Sequence, residues 1–141
     1  ISGKIPVVTG GDYTSNWGLQ IGVNTIDPPA TSAGSGTLNK SYATIALSYT
    51  GTIAPENKAI RAVIHLVSMA ADANPYCATI QSSGKVMDLT SFNTACWDGS
   101  GTKLTAADIP NIDKIGIQIS TDVTNEYNVT DFCLTGIQFG N

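Results

Sequence analysis

Lys114-Ile115-Gly116-Ile117-Gln118-Ile119-Ser120 decides the fold. Isoleucine at every second position, separated by lysine, glycine, glutamine and serine, has the period of a strand with one face on a core and the other toward solvent. The same alternation recurs upstream. Trp17, Leu19, Ile21 and Val23 alternate with Gly18, Gln20, Gly22 and Asn24, which places Trp17 in the apolar row and predicts it as core. Ile45, Leu47 and Tyr49 alternate with Thr44, Ala46 and Ser48. Residues 59–69 are apolar on both faces: Ile60, Ala62, Ile64 and Leu66 form one row, Arg61, Val63, His65 and Val67 the other. That is the pattern of a central strand. A short helix is the competing reading, and its β-branched residues weigh against it.

Shorter strands are predicted at residues 5–8, 76–80, 85–89 and 129–139. Between the runs lie turn-forming clusters: Asp27-Pro28-Pro29, Asn74-Pro75, Ser82-Ser83-Gly84, Asp98-Gly99-Ser100-Gly101 and Ile109-Pro110-Asn111. The spacing predicts an all-β protein, a sandwich or jelly roll of about eight antiparallel strands with minimal helix. Brief helical turns are expected at residues 105–109, with Thr105 as cap and Pro110 as stop, and at residues 91–93. The chain has 141 residues, no internal repeat and no dividing linker, so residues 1–141 are read as a single domain. Within it, residues 1–11 form an extended N-terminal segment and residues 27–37 one long surface loop.

Seven basic against eleven acidic residues give a net charge of −4 without any Lys/Arg cluster, which argues against a nucleic-acid partner. No apolar run approaches the ~18 residues needed to span a bilayer, so no membrane partner is expected. The start at Ile1, without a basic and apolar leader, is that of a processed chain or an excised module. His65 is the sole histidine, and the three cysteines form no Cys-x-x-Cys pair, so zinc and redox sites have no support. No Gly-x-Ser-x-Gly turn presents a nucleophile, and most carboxylates lie in loop-like sequence. The chain is therefore predicted not to be an enzyme.

Three cysteines allow three single pairings. Cys77 with Cys96 is the preferred one, because a hairpin and a return segment bring residues at this separation together; closing the loop would stabilise by about 3 kcal/mol. Cys133, in Phe132-Cys133-Leu134, is then left over and expected as a small buried hydrophobe. Three reduced thiols in a cytosolic protein are the alternative. Asn39-Lys40-Ser41 and Asn128-Val129-Thr130 match the N-glycosylation pattern.

Tyr76-Cys77, then Phe92-Asn93-Thr94-Ala95-Cys96-Trp97-Asp98-Gly99, then Ile115-Gly116-Ile117-Gln118 and Asp131-Phe132-Cys133, follow one another in an order that resembles a group of bacterial carbohydrate-binding-module-like domains. The resemblance runs from about Trp17 to the end and is strongest from Tyr76 onward. It implies a galactose-binding-like jelly roll, secretion, sugar binding, attachment to a polysaccharide-degrading enzyme and a structural calcium ion. Asp12 and Asp131 are the residues that could ligate calcium.

Sugar recognition combines aromatic rings, which lie on the apolar faces of pyranoses, with side chains that hydrogen-bond hydroxyls. The polar rows offer Gln20, Asn24, Arg61, His65 and Gln118, with Arg61 and His65 sharing a face because they are four apart on one strand. Tyr76, Trp97, Tyr42 and Tyr127 are the aromatics expected at loops or rims. The predicted carbohydrate site is Gln20, Arg61, His65, Tyr76, Trp97 and Gln118. Each has a plain structural alternative: a hydrogen-bonded core histidine, an ion-paired arginine, a tryptophan packed on a disulfide. The alternative function is a structural or adhesive subunit of an extracellular assembly, with Ile5-Pro6-Val7-Val8 adding a strand to another protomer.

Overall fold

The isoleucine row is buried as its period demands. Ile117 and Ile119 are wholly inaccessible and Ile115 nearly so, while Lys114, between the buried residues Asp113 and Ile115, is exposed. The computed structural model describes residues 1–11, 17–25, 36–56, 60–70 and 73–141. These contain eight strands: β1 Gly3–Ile5, β2 Gly18–Asn24, β3 Thr44–Ala54, β4 Ile60–Leu66, β5 Tyr76–Ile80, β6 Val86–Asp88, β7 Ile112–Ser120 and β8 Tyr127–Gly140. They form two four-stranded antiparallel sheets, ordered β1-β8-β3-β6 and β2-β7-β4-β5. The expected all-β class and the number of strands are both found.

Between the sheets lies one apolar cluster that draws on all eight strands, including Ile5 of β1, Ile45 and Leu47 of β3, Ala62 and Ile64 of β4, and Phe132 of β8. The connection from β6 to β7 contributes Leu89, Phe92, Leu104 and Ile109, all essentially inaccessible. The same connection covers the β5 edge: Asn93 bridges Cys77, and Lys103 bridges Asn93. Covering a sheet edge this way removes a surface that would otherwise pair with another chain. The Cys77–Cys96 disulfide, with S–S 2.00 Å, pins this connection to β5.

Three local expectations change. The first strand ends at Ile5, because Pro6 has no N–H to donate; Val8 is nonetheless buried and donates its N–H to Asp122 O. Gly3, Lys4 and Ile5 pair with Val129, Asn128 and Tyr127 of the same chain, so of the segment Ile5-Pro6-Val7-Val8 only Ile5 takes part in this sheet. Cys133 is exposed, not buried. Register shifts between Ser48 and Tyr49 and between Thr50 and Thr52 break the simple alternation of β8, so that Phe132 turns inward and Cys133, opposite Thr50, turns out.

Helix among the described residues is limited to 3₁₀ turns at Thr9–Gly11, Leu89–Ser91 and Ile109–Asn111. Pro110 lies inside the last of these instead of stopping a turn before it, a place where its missing N–H is not needed. The capping at 105–108 is also reversed: the Asp108 carboxylate accepts from the Thr105 N–H and hydroxyl. Of the expected 27–37 loop, residues 27–35 lie outside the described residues. Among the described residues no helix is long and apolar enough to cross a membrane.

Replacing both bridged cysteines, Cys77→Ser with Cys96→Ser, is expected to cost about 3 kcal/mol by the loop-closure estimate. Urea denaturation monitored by fluorescence checks this, and an unchanged midpoint would show that the edge connection holds without its bridge.

Candidate functional site

The outer face of the β2-β7-β4-β5 sheet is laid out by its register. Residues paired across strands share a face, so the outward groups form rows. One row is Asn24, Lys114 and His65; the next is Gly22, Gly116, Val63 and Cys77; the third is Gln20, Gln118, Arg61 and Thr79. Neighbouring rows are roughly 7 Å apart along the strands. Two glycines side by side in the middle row leave the sheet without side chains there. An open groove of about 350 Å³ follows, with Gly22, Gly116 and Val63 beneath it and Gln20, Asn24, His65 and Lys114 around it. Trp17, Ala73 and Pro75 also line it.

The glycine at 116 is required by the backbone. A Cβ there would sit 2.4 Å from Ile21 O and 3.0 Å from Gly22 Cα, so β2 and β7 could not keep their approach. Gly18 has a different role. Its φ of 110° lies in the left-handed region, and a Cβ would meet Ile119 O at 2.0 Å. That turn breaks the alternation at the start of β2. Trp17, expected in the core, is instead 47% exposed and lines the groove.

A β-bulge positions the one histidine. His65 pairs with Lys114 and Leu66 with Ile112, which leaves Asp113 as the extra residue of β7. Its side chain meets His65: Nδ1–H donates to Asp113 Oδ1 at 2.8 Å, since an ionised carboxylate can only accept. Asp113 is 3% exposed, and His65 Nε2 is buried with no hydrogen-bond partner among the described residues. The ring is thus fixed in orientation at the groove wall by a neighbouring acid, as in sites where a carboxylate sets a histidine tautomer.

Four of the six predicted site residues, Gln20, Arg61, His65 and Gln118, share this face. Trp97 joins them from the β6–β7 connection: it is 58% exposed, and the Arg61 guanidinium carbon lies 5.7 Å from the centre of its ring. That contact is within cation–π range. Next to it, Asp98 accepts from the Ser100 N–H and hydroxyl, and these bonds hold its carboxyl below the usual range.

Tyr76 does not belong to the site. It pairs with Ile64, whose side chain points to the core, and packs on the apolar cluster. Burial and the nearby Asp108 carboxylate raise its phenol pKa. Tyr127 is buried rather than at a rim, and its hydroxyl donates to Asp122. Tyr42 stacks on Phe139 with ring centres 4.7 Å apart. Of the proposed calcium ligands, Asp12 lies outside the described residues. Asp131 accepts from the Ser2 hydroxyl, and no group of three His, Cys, Asp or Glu side chains able to hold a metal occurs among the described residues. The structure gives the calcium expectation no support.

The reading of the sequence missed Trp17, Lys114 and Asp113. Gly18 was the available signal for the first: glycine ahead of a regular strand marks a place where the side-chain period can break. For Lys114 and Asp113 the signal was weak, because nothing in Ile112-Asp113-Lys114 marks a bulge.

The site and fold define an antiparallel β-sandwich with an aromatic and amide-lined groove on one outer sheet face. Comparisons with protein-family models, with curated proteins and with solved structures gave no match.

Asp113→Ala leaves the His65 Nδ1–H without its acceptor and is expected to cost about 1–3 kcal/mol. A double-mutant cycle with His65→Ala, followed by urea denaturation, should give a coupling above about 0.5 kcal/mol. Simple additivity of the two losses would show that the pair is not coupled.

Proposed function

We propose that this protein is a secreted, non-catalytic carbohydrate-binding module that takes a polysaccharide along the outer face of the β2-β7-β4-β5 sheet. The observation that carries the reading is Trp17, an indole held about half exposed beside a groove floored by two glycines and edged by amides. An indole beside a shallow, stiff surface offers an apolar plane to a pyranose face, and Gln20 and Asn24 offer donors and acceptors to its hydroxyls. Trp97, stacked with Arg61, supplies a second exposed ring on the same face. The disulfide is compatible with an oxidising, extracellular setting. The strand order β1-β8-β3-β6 over β2-β7-β4-β5 supports reading the sandwich as a jelly roll, the fold that the sequence resemblance implies.

A glycan array probed with the full chain should give binding to polysaccharide. Trp17→Ala, and to a lesser degree Trp97→Ala, should weaken that binding at least tenfold with the thermal midpoint unchanged. Absence of binding to any glycan, together with ordered assemblies in sedimentation, would favour the structural-subunit reading instead. Release of shortened sugar chains by pure protein would overturn the non-catalytic one.

A further inference from the structure

We infer that the polysaccharide taken by this face is acidic, a polymer carrying uronate carboxylates; the inference rests on the carbohydrate reading above. The chain as a whole is acidic, with a net charge of −4. Among the described residues, three cations nevertheless lie on or beside this face. Lys114 lines the groove, exposed, in the row of Asn24 and His65. Arg61 is on the same face four residues along β4, roughly 13 Å from that row. Lys103 continues the middle row beyond the β5 edge, through Cys77 and Asn93.

Two described carboxylates beside this face, Asp113 and Asp98, are engaged within the protein. Asp113 is buried and accepts from His65 Nδ1–H. Asp98 accepts from the backbone and hydroxyl of Ser100. Neither lines the groove. Asp88 and Asp131 belong to strands of the opposite sheet, and Glu126 pairs with Lys4 there.

An ammonium at the edge of a groove loses water when a ligand lies over it. A neutral sugar returns only dipoles for that loss, whereas a carboxylate returns a charge-assisted hydrogen bond. Lys114 and Arg61 lie roughly 13 Å apart, farther than one sugar ring spans, so a ligand that reaches from one to the other is a chain of sugars. Cations gathered along a concave surface also raise the local concentration of an anionic chain.

The test is affinity electrophoresis of the full chain through gels containing polygalacturonate, its methyl-esterified form, a sulfated glycan or a neutral galactan, at 0.15 M salt on the order of physiological ionic strength. Polygalacturonate should retard the protein, with binding at least tenfold weaker after methyl esterification. Lys114→Met should weaken polygalacturonate binding at least tenfold. Lys114→Arg should restore it in large part, and Lys85→Met, next to β6 of the opposite sheet, should leave it unchanged. Equal or better binding to the esterified or neutral polymer would overturn the acidic preference while leaving the carbohydrate reading in place. Stronger retention by the sulfated glycan would overturn the carboxylate class. An equal loss in Lys85→Met would show general charge attraction and no site. Retention by none of these polymers, with a silent glycan array, would remove both readings.

Discussion

The buried row Ile115, Ile117 and Ile119 is the constraint on which the rest of the molecule depends. A strand has a side-chain period of two, so burying these three residues forces Lys114, Gly116 and Gln118 to the opposite face. A slip of one position would send every isoleucine to solvent and every outer group into the core. β7 is also an inner strand, paired with β2 on one side and β4 on the other. Its register therefore sets theirs, and Gln20, Gln118 and Arg61 come into line because Ile21, Ile117 and Ala62 do so on the face beneath.

What makes the outer face a groove is the absence of side chains at one place and the presence of an extra residue at another. Gly22 opposite Gly116 brings two backbones together and leaves a depression that any larger pair would fill. The bulge at Asp113 lets a buried acid meet a histidine whose strand neighbours would otherwise hold it one position away. Both features depart from ideal strand pairing, and both concentrate where the polar groups converge. Local irregularity of that kind within an otherwise consistent sheet is where function is commonly found.

Legibility in the sequence followed the regularity of the backbone. Where alternation was strict, as in β4, in β2 from Leu19 onward and in β7 from Lys114 onward, the strand and its face could be read directly, and the positions of Gln20, Arg61, His65 and Gln118 followed from counting by two. Cys77 with Cys96 was readable from chain separation. Three of the failures share one cause. Trp17 sits behind a glycine with positive φ, Cys133 lies between two register shifts, and Asp113 is itself a bulge; at each, one residue breaks the period on which the reading relied. Tyr76 failed differently: beside turn residues it looked like a rim aromatic, but it starts β5 on the row shared with Ala78 and Ile80, which faces the core.

The construction of the face bears on how tightly it could hold a flexible polymer. Association costs the ordering of both surfaces, and a surface already fixed contributes less to that cost. Here the groove floor is main chain in mid-sheet, the His65 ring is tied to a buried carboxylate, and Trp97 is next to a disulfide-linked residue with a guanidinium over its ring. Lys114 and Lys103 are long side chains, both exposed beside this fixed core. A stiff apolar and amide surface flanked by exposed cations suits a ligand whose rings must be placed while its charges need only be met. That division of labour links the aromatic platform to the acidic polymer proposed for it.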